Sequence, residues 1–159
     1  TTATIARLRF ALSPAVLAVA DARNGAAIFE QRCALCHTLF GQGKNIGPDL
    51  TGSGRKDLEY LLLNIIDPNA SIPADHRLSV ITLRDGRVVS GSIASESPAA
   101  LTVRSPEGES IVNRDSVRNI ERLPVSLMPP GLLEALAPNE VRDLFGYLMS
   151  DGAPAGSTP

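Results

Sequence analysis

The run Cys33-Ala34-Leu35-Cys36-His37 constrains this chain more than any other stretch. Two cysteines three residues apart lie on one helical turn, and the histidine four residues after Cys33 lies on the same helix face. Each thiol can then add across a haem vinyl group, while one imidazole nitrogen binds the iron and the other donates a hydrogen bond. The motif predicts one covalent haem c, with Cys33 and Cys36 as thioether links and His37 as iron ligand.

Two other kinds of site use the same residue types. A thioredoxin-like redox pair has no use for the histidine that follows and is expected in a βαβ setting. A structural zinc site needs four ligands, and the chain has two cysteines and two histidines in all. His76 would have to complete that set, but it lacks a paired ligand at the usual spacing, so haem attachment is favoured.

The composition narrows the class of protein further. A chain of 159 residues with 43% hydrophobic residues can form one domain with a core, or a smaller core that carries an insertion. The net charge of −2 gives no sign of nucleic-acid binding. Aromatic residues make up 4% of the chain, so a large flat cofactor would help to fill the core. Both cysteines lie in the haem motif, and thioether haem is attached after export in bacteria, so we expect a periplasmic or otherwise extracytoplasmic protein.

The first 22 residues are expected to form a helical N-terminal extension. Arg7 and Arg9 precede an apolar run that resembles a secretion signal, but Ser13-Pro14 interrupts it and it is too short to span a membrane. Ser13 suits a helix N-cap and Pro14 the first helical position. We therefore expect two short helices, at about residues 3–12 and 14–23, as the end of a segment that precedes this domain.

Helical periodicity marks three further segments. A helix at about residues 25–33, opened by Asn24-Gly25, should present Phe29 to the C-terminal helix and end in the haem motif. A second helix is predicted over residues 57–66, where Pro68 follows its end. The third begins after Pro138 and has one apolar face that ends near residue 150. Between the first and second helices, the glycine-rich residues 41–50 predict a loop that approaches a flat ligand closely.

The middle of the chain changes to an alternating pattern. Residues 77–83 and 87–93 flank Asp85-Gly86, a two-residue hairpin signal. Residues 101–105 and 109–113 flank a second turn, and residues 116–122 add a fifth short strand. The pattern predicts a small antiparallel barrel or rolled sheet, which is similar in strand rhythm to the barrel of Sm-like proteins.

The sixth position of the iron has three candidate ligands: Met128, Met149 and His76. Met149 falls on the apolar face of the last predicted helix, where core packing is expected. His76 lies between a connector and the first strand, where exposure to solvent is the default. Met128 precedes Pro129-Pro130 in a stretch too rich in proline for a helix or strand. A stiff loop suits a thioether that must stay in place, so Met128 is favoured as the distal ligand.

Together, the Cys33–His37 motif, Gly47-Pro48-Asp49-Leu50, the Met128-Pro129 pair and the closing helix resemble class I cytochromes c. The chain is more closely similar to the haem-binding C-terminal domain of large planctomycete and verrucomicrobial (Pirellula/Verrucomicrobium-type) multidomain proteins. That resemblance implies Met128 as distal ligand. It also implies that the Pro48 carbonyl accepts a hydrogen bond from the His37 ring. The chain departs from ordinary class I cytochromes in the long, strand-rich interval between its two ligands.

We therefore expect an α+β fold, a small helical cytochrome c core interrupted by a five-stranded antiparallel module. The expected parts are an extension (1–22), the first part of the core (23–75), the β module (76–123), the second part of the core (124–151) and a flexible tail (152–159). The expected function is single-electron transfer to or from a redox partner protein or a fused dehydrogenase domain. No catalytic residue, transmembrane segment or nucleic-acid partner is predicted. Two alternatives stay open, a five-coordinate haem sensor or haem enzyme, and a docking module whose β insert binds a partner protein.

Overall fold

The computed structural model describes residues 1–155, and the chain divides into two compact units. One unit is formed by residues 1–67 together with the chain from Pro130 onward, and we call it the helical unit. The other is formed by Pro68–Pro129, and we call it the β unit. The predicted flexible tail, residues 152–159, extends beyond the described residues from position 156.

Within residues 1–155, the helical unit contains five helices and one small hairpin. The helices are α1 (Thr2–Ala11), α2 (Pro14–Leu17), α3 (Ala22–Arg32), α4 (Leu58–Ile66) and α5 (Pro138–Leu148). The hairpin pairs β1 (Thr38–Leu39) with β2 (Gln42–Gly43). Its two turn residues, Phe40 and Gly41, have φ angles of 51° and 79°, the left-handed backbone that a two-residue hairpin turn requires. The sequence pattern of this segment predicted only a glycine-rich loop.

The boundary between the second and third helices was predicted wrongly. The second helix ends at Leu17, not near residue 23, and α3 begins at Ala22. The Asp21 carboxylate caps α3 by accepting hydrogen bonds from the amides of Arg23 and Asn24. The sequence pattern predicts the start of this helix at Asn24-Gly25, but both residues lie inside its first turns. The prediction of Pro14 at the first position of α2 is confirmed.

The core of the helical unit forms where α3 crosses α5. Gly25 makes this crossing possible, because a Cβ there would lie 2.1 Å from the Asp143 carbonyl oxygen. Phe29 packs edge-on against Tyr147 with ring centroids 5.7 Å apart, which confirms the predicted contact between Phe29 and the C-terminal helix. Leu12, beyond the end of α1, is 2% exposed and belongs to the same apolar cluster. The N-terminal segment is thus part of this core.

The β unit is a single five-stranded antiparallel sheet. Its strands are β3 (Arg77–Leu83), β4 (Val88–Glu96), β5 (Ala100–Ser105), β6 (Gly108–Asn113) and β7 (Val117–Ser126). Their spatial order is β6-β5-β4-β3-β7, so the last strand returns to pair with the first. The predicted five antiparallel strands and the α+β class are confirmed. The alternating pattern located the strands well because one face of the sheet buries an apolar core. Six buried side chains form that core: Ile81, Leu83, Ile93, Leu101, Val103 and Val112.

None of the helices within residues 1–155 is both long enough and apolar enough to cross a membrane.

Candidate functional site

The two cysteines and the histidine lie on the turn that ends α3. The amides of Cys36 and His37 both donate to the Cys33 carbonyl, at 3.0 and 2.8 Å. The backbone therefore continues as a tight turn after the last helical residue, Arg32. This geometry presents both thiols and the imidazole from one short segment, as the spacing predicts.

The loop that follows is tied back onto this turn by its backbone. The Lys44 amide donates to the Ala34 carbonyl at 2.9 Å, and the Gly47 amide donates to the Cys36 carbonyl at 2.7 Å. Gly47 also lies flat against the imidazole, since a Cβ there would be 2.7 Å from His37 Cε1. The glycine is therefore needed for the loop to approach the histidine ring this closely.

The orientation of the His37 ring is set by Pro48. The ring Nδ1 lies 2.8 Å from the Pro48 carbonyl oxygen, the contact that the family resemblance implies. A carbonyl oxygen can only accept, so Nδ1 carries the proton and donates. In a neutral imidazole the lone pair is then on Nε2, which is the arrangement that a metal-binding histidine needs.

Burial sets the acidity of the two thiols. It raises the pKa of Cys33 to about 12, although the nearby Arg32 charge acts in the opposite direction. Burial also raises the pKa of Cys36, against the charge of Lys44. Both thiols are half-buried, and neither has the lowered pKa of a cysteine nucleophile. The pair therefore lacks the activated thiolate on which thiol–disulfide redox catalysis depends.

The chemistry of the residues in the helical unit fits a haem. Several apolar side chains are only partly buried although they pack against the core of the helical unit, among them Cys33, Ala34, Phe40, Leu50, Leu58, Ile65 and Leu136. Gly47 keeps the imidazole clear of any side chain at its own position. Within residues 1–155, no three or more His, Cys, Asp and Glu side chains are grouped so as to hold a metal ion by themselves. Two thiols and one imidazole on a single turn are the donors that a covalent haem uses.

Arg55, a buried arginine in the loop before α4, was not predicted from the sequence. Arg55 is 6% exposed and donates through Nη1 to the carbonyls of Leu148, the last residue of α5, and Ser150, at 2.8 and 2.5 Å. Its Nε donates to the Thr51 carbonyl at 3.2 Å, and its guanidinium lies 4.8 Å from the centre of the Phe40 ring. One cation therefore joins the loop after the haem motif to the C-terminal end of α5. Periodicity gave no signal, because the residue lies in a loop.

The second missed residue is Asp143, a carboxylate in the α3–α5 contact. It is 2% exposed and accepts from the Asp21 amide at 3.0 Å and from the Asn24 side chain at 2.8 Å. Arg142 pairs with it at 2.7 Å. Burial by itself would raise the pKa of Asp143, but these hydrogen bonds together hold it below its usual value. The sequence feature that could have indicated Asp143 is an acidic residue between the apolar positions of the α5 pattern.

The three candidate distal ligands lie in different parts of the chain. Met149 caps α5 and packs against the core of the helical unit. His76 is half-buried in the 3-10 turn Ala74–His76, with Nε2 3.9 Å from the Asp75 carboxylate. Met128 is half-buried in the β unit, just beyond the end of β7. Cys33, Cys36, His37 and Pro48 are thus gathered in the helical unit, and Met128 stays a prediction.

Comparison with known proteins agrees with this site. A family model described as cytochrome c matches residues 22–80, which is less than half of the chain. Cytochrome c of Cochliobolus lunatus is 58% identical over 38 residues, 23% of this chain and 35% of that protein. Cytochrome c of Arabidopsis thaliana is 58% identical over 38 residues, 23% of this chain and 34% of that protein. The chain thus spans about a third of the length of these curated relatives. The similarity implies a covalently bound haem c with iron.

Proposed function

We propose that this protein is an electron carrier with one covalent haem c, ligated by His37 and Met128, that exchanges single electrons with a redox partner. The haem iron supplies a reversible one-electron couple. The observation that best supports this proposal is the turn that presents Cys33, Cys36 and His37 together, with the His37 Nδ1 held 2.8 Å from the Pro48 carbonyl oxygen.

Each chain residue has a defined part in this function. The sulfurs of Cys33 and Cys36 would hold the haem through two thioether bonds to its vinyl carbons, with each thiol proton going to the neighbouring vinyl carbon. His37 would bind the iron through Nε2, and the Pro48 carbonyl keeps its ring from rotating. The Met128 thioether is a soft, neutral donor that would favour the reduced iron and raise the potential. Because the same residues would hold the group in both oxidation states, little of the chain would have to move when an electron is transferred.

The chain is proposed to act outside the cytoplasm, because both cysteines belong to an attachment motif that is completed after export in bacteria. Its resemblance to the haem domain of planctomycete and verrucomicrobial multidomain proteins supports a dehydrogenase domain, separate or fused, as the redox partner. The α+β architecture agrees with that resemblance, since a five-stranded sheet stands in the interval between the two proposed ligands.

The alternatives are distinguished by the sixth position of the iron and by the β unit. A haem sensor or haem enzyme would leave the sixth position open to oxygen, carbon monoxide or peroxide. A docking module would use the sheet to bind a partner and need no distal methionine. The test therefore centres on Met128.

Met128→Ala should abolish the weak far-red sulfur-to-iron absorption band of the oxidised protein, lower the potential and let carbon monoxide bind the reduced protein. Met149→Leu is the matched control, because it alters the other methionine while nearly conserving its volume. That variant should keep the wild-type spectrum. An unchanged spectrum in Met128→Ala would overturn the assignment and make His76 the next ligand to test.

A further inference from the structure

The end of strand β7 is held by a junction that lies immediately before Met128. Ser126 is the last residue of β7 and pairs with Arg77 at the start of β3. Its amide donates to Asn69 Oδ1 at 2.8 Å, and its hydroxyl accepts from the Met128 amide at 3.0 Å. Ser126 therefore links the sheet both to Asn69, in the turn after α4, and to the backbone of Met128.

The sheet alone holds this strand end weakly. The register of β3 against β7 shifts between the pairs Arg77–Ser126 and Ser79–Arg122, so β7 has extra residues opposite β3 there. Pro124 lies in that bulge and has no amide to donate. A bulge next to a site commonly redirects the chain that follows it. Beyond the bulge one strand pairing remains, and the Asn69 side chain supplies a second contact.

Two hydrogen bonds link Asn69 to Met128 through Ser126. Asn69 follows the buried Pro68 in the turn after α4, and its carboxamide reaches across to the far end of the β unit's chain. Two residues after Ser126, the Met128 amide is fixed by the serine hydroxyl. Pro129 and Pro130 restrict the loop from its other end. The position of the Met128 backbone thus depends on groups on both sides of it.

We propose that Asn69 and Ser126 are positioning residues for Met128, and that the β unit serves as the platform that holds the distal ligand. This inference rests on the proposed function, since it assumes that the Met128 thioether binds the iron. A thioether is readily displaced, so its bound fraction is expected to depend on how firmly its loop is held. Ser126 acts on the Met128 amide directly, and Asn69 acts through the Ser126 amide.

The test measures how fast carbon monoxide binds the reduced holoprotein, a rate that follows the fraction of molecules with Met128 released. Asn69→Ala and Ser126→Ala each remove one hydrogen bond and should raise that rate roughly three- to tenfold. Asn69→Asp and Ser126→Thr keep the accepting oxygen and should restore a rate close to that of the wild type. The far-red band of the oxidised protein should weaken in the same two alanine variants.

Asn113→Ala is the matched control. Asn113 accepts from the Asp115 amide at 3.0 Å before the start of β7, so the variant removes the same kind of bond at the other end of that strand. It should leave the carbon monoxide rate unchanged. Equal effects of Asn69→Ala and Asn113→Ala would overturn the positioning role, because general loosening of the sheet would then explain both.

Met128→Ala separates failure of this inference from failure of the proposed function. If Met128→Ala speeds carbon monoxide binding and Asn69→Ala and Ser126→Ala do not, the positioning role is wrong and the ligand assignment stands. If Met128→Ala changes neither the rate nor the spectrum, the ligand assignment fails and the positioning role fails with it.

Discussion

Gly25 on α3 lies against the backbone of Asp143 on α5, so close that a Cβ at position 25 would be 2.1 Å from the Asp143 carbonyl oxygen. The backbones of α3, which leads into the haem motif, and of α5 are thus in direct contact at this point. The Asp143 carboxylate reinforces the same contact by accepting from Asp21 and Asn24.

Gly25→Ala should destabilise the helical unit because a methyl group would force the two helices apart. Overpacking of this kind costs about 1–3 kcal/mol, which equilibrium unfolding in denaturant would measure. Gly52→Ala is the control, since a Cβ at position 52 meets no atom within 4 Å. Equal stability of the two variants would contradict the close crossing.

Asp143→Asn tests the carboxylate at this crossing through its pH dependence. The folded pKa of Asp143 lies below its usual value, so its contribution to stability is fully present above about pH 4 and is lost as the pH falls through the folded pKa. The variant should lose about 1–2 kcal/mol at neutral pH. Its stability should also fall less steeply in acid than that of the wild type. Asp151→Asn, at an exposed ion pair with Lys56, should keep the wild-type acid profile more closely.

Arg55→Ala should cost about 2–3 kcal/mol of stability, because the carbonyls of Leu148 and Ser150 would lose a charged donor in a buried setting. The neighbouring Lys56→Ala removes only an exposed ion pair and should change stability by less than about 1 kcal/mol. Thermal unfolding of both variants would measure the difference. A loss in Lys56→Ala as large as in Arg55→Ala would show that Arg55 does not join the loop to α5.

The strands were predictable from the sequence because one face of the sheet is buried, so apolar and polar residues alternate. The start of α3 was not, because Asn24-Gly25 has the composition of a turn and the glycine is in fact required by the crossing with Asp143. Cys33, Cys36, His37 and Pro48 lie within 15 positions of one another, so a local motif could bring them together. Arg55 could not be predicted, since its partners Leu148 and Ser150 are distant in sequence and are backbone carbonyls of no particular residue type.

Haem attachment should depend on both thiols. Acid–acetone extraction of the wild type should leave the pigment on the chain. Cys33→Ser and Cys36→Ser should each retain one thioether link, and the double variant should release the haem. Free extraction of haem from the wild type would contradict covalent attachment.

Replacing residues 77–122 by a short linker tests whether the β unit is needed for haem binding. Asn69 and Ser126 are hydrogen-bonded to each other, so the two ends of the β unit lie close enough to be joined. Because Cys33, Cys36 and His37 lie in the helical unit, the haem should stay covalently bound and still be reduced and reoxidised at an electrode. Loss of covalent haem in this variant would show that the sheet is needed for attachment.

The central claim, a six-coordinate one-electron carrier, is tested most directly by titrating the purified wild type with a reductant and then exposing the reduced form to carbon monoxide. A six-coordinate carrier should take up one electron per chain reversibly, and carbon monoxide should leave its reduced spectrum almost unchanged. Rapid and complete binding of carbon monoxide to the reduced wild type would contradict it and would indicate a haem sensor or haem enzyme.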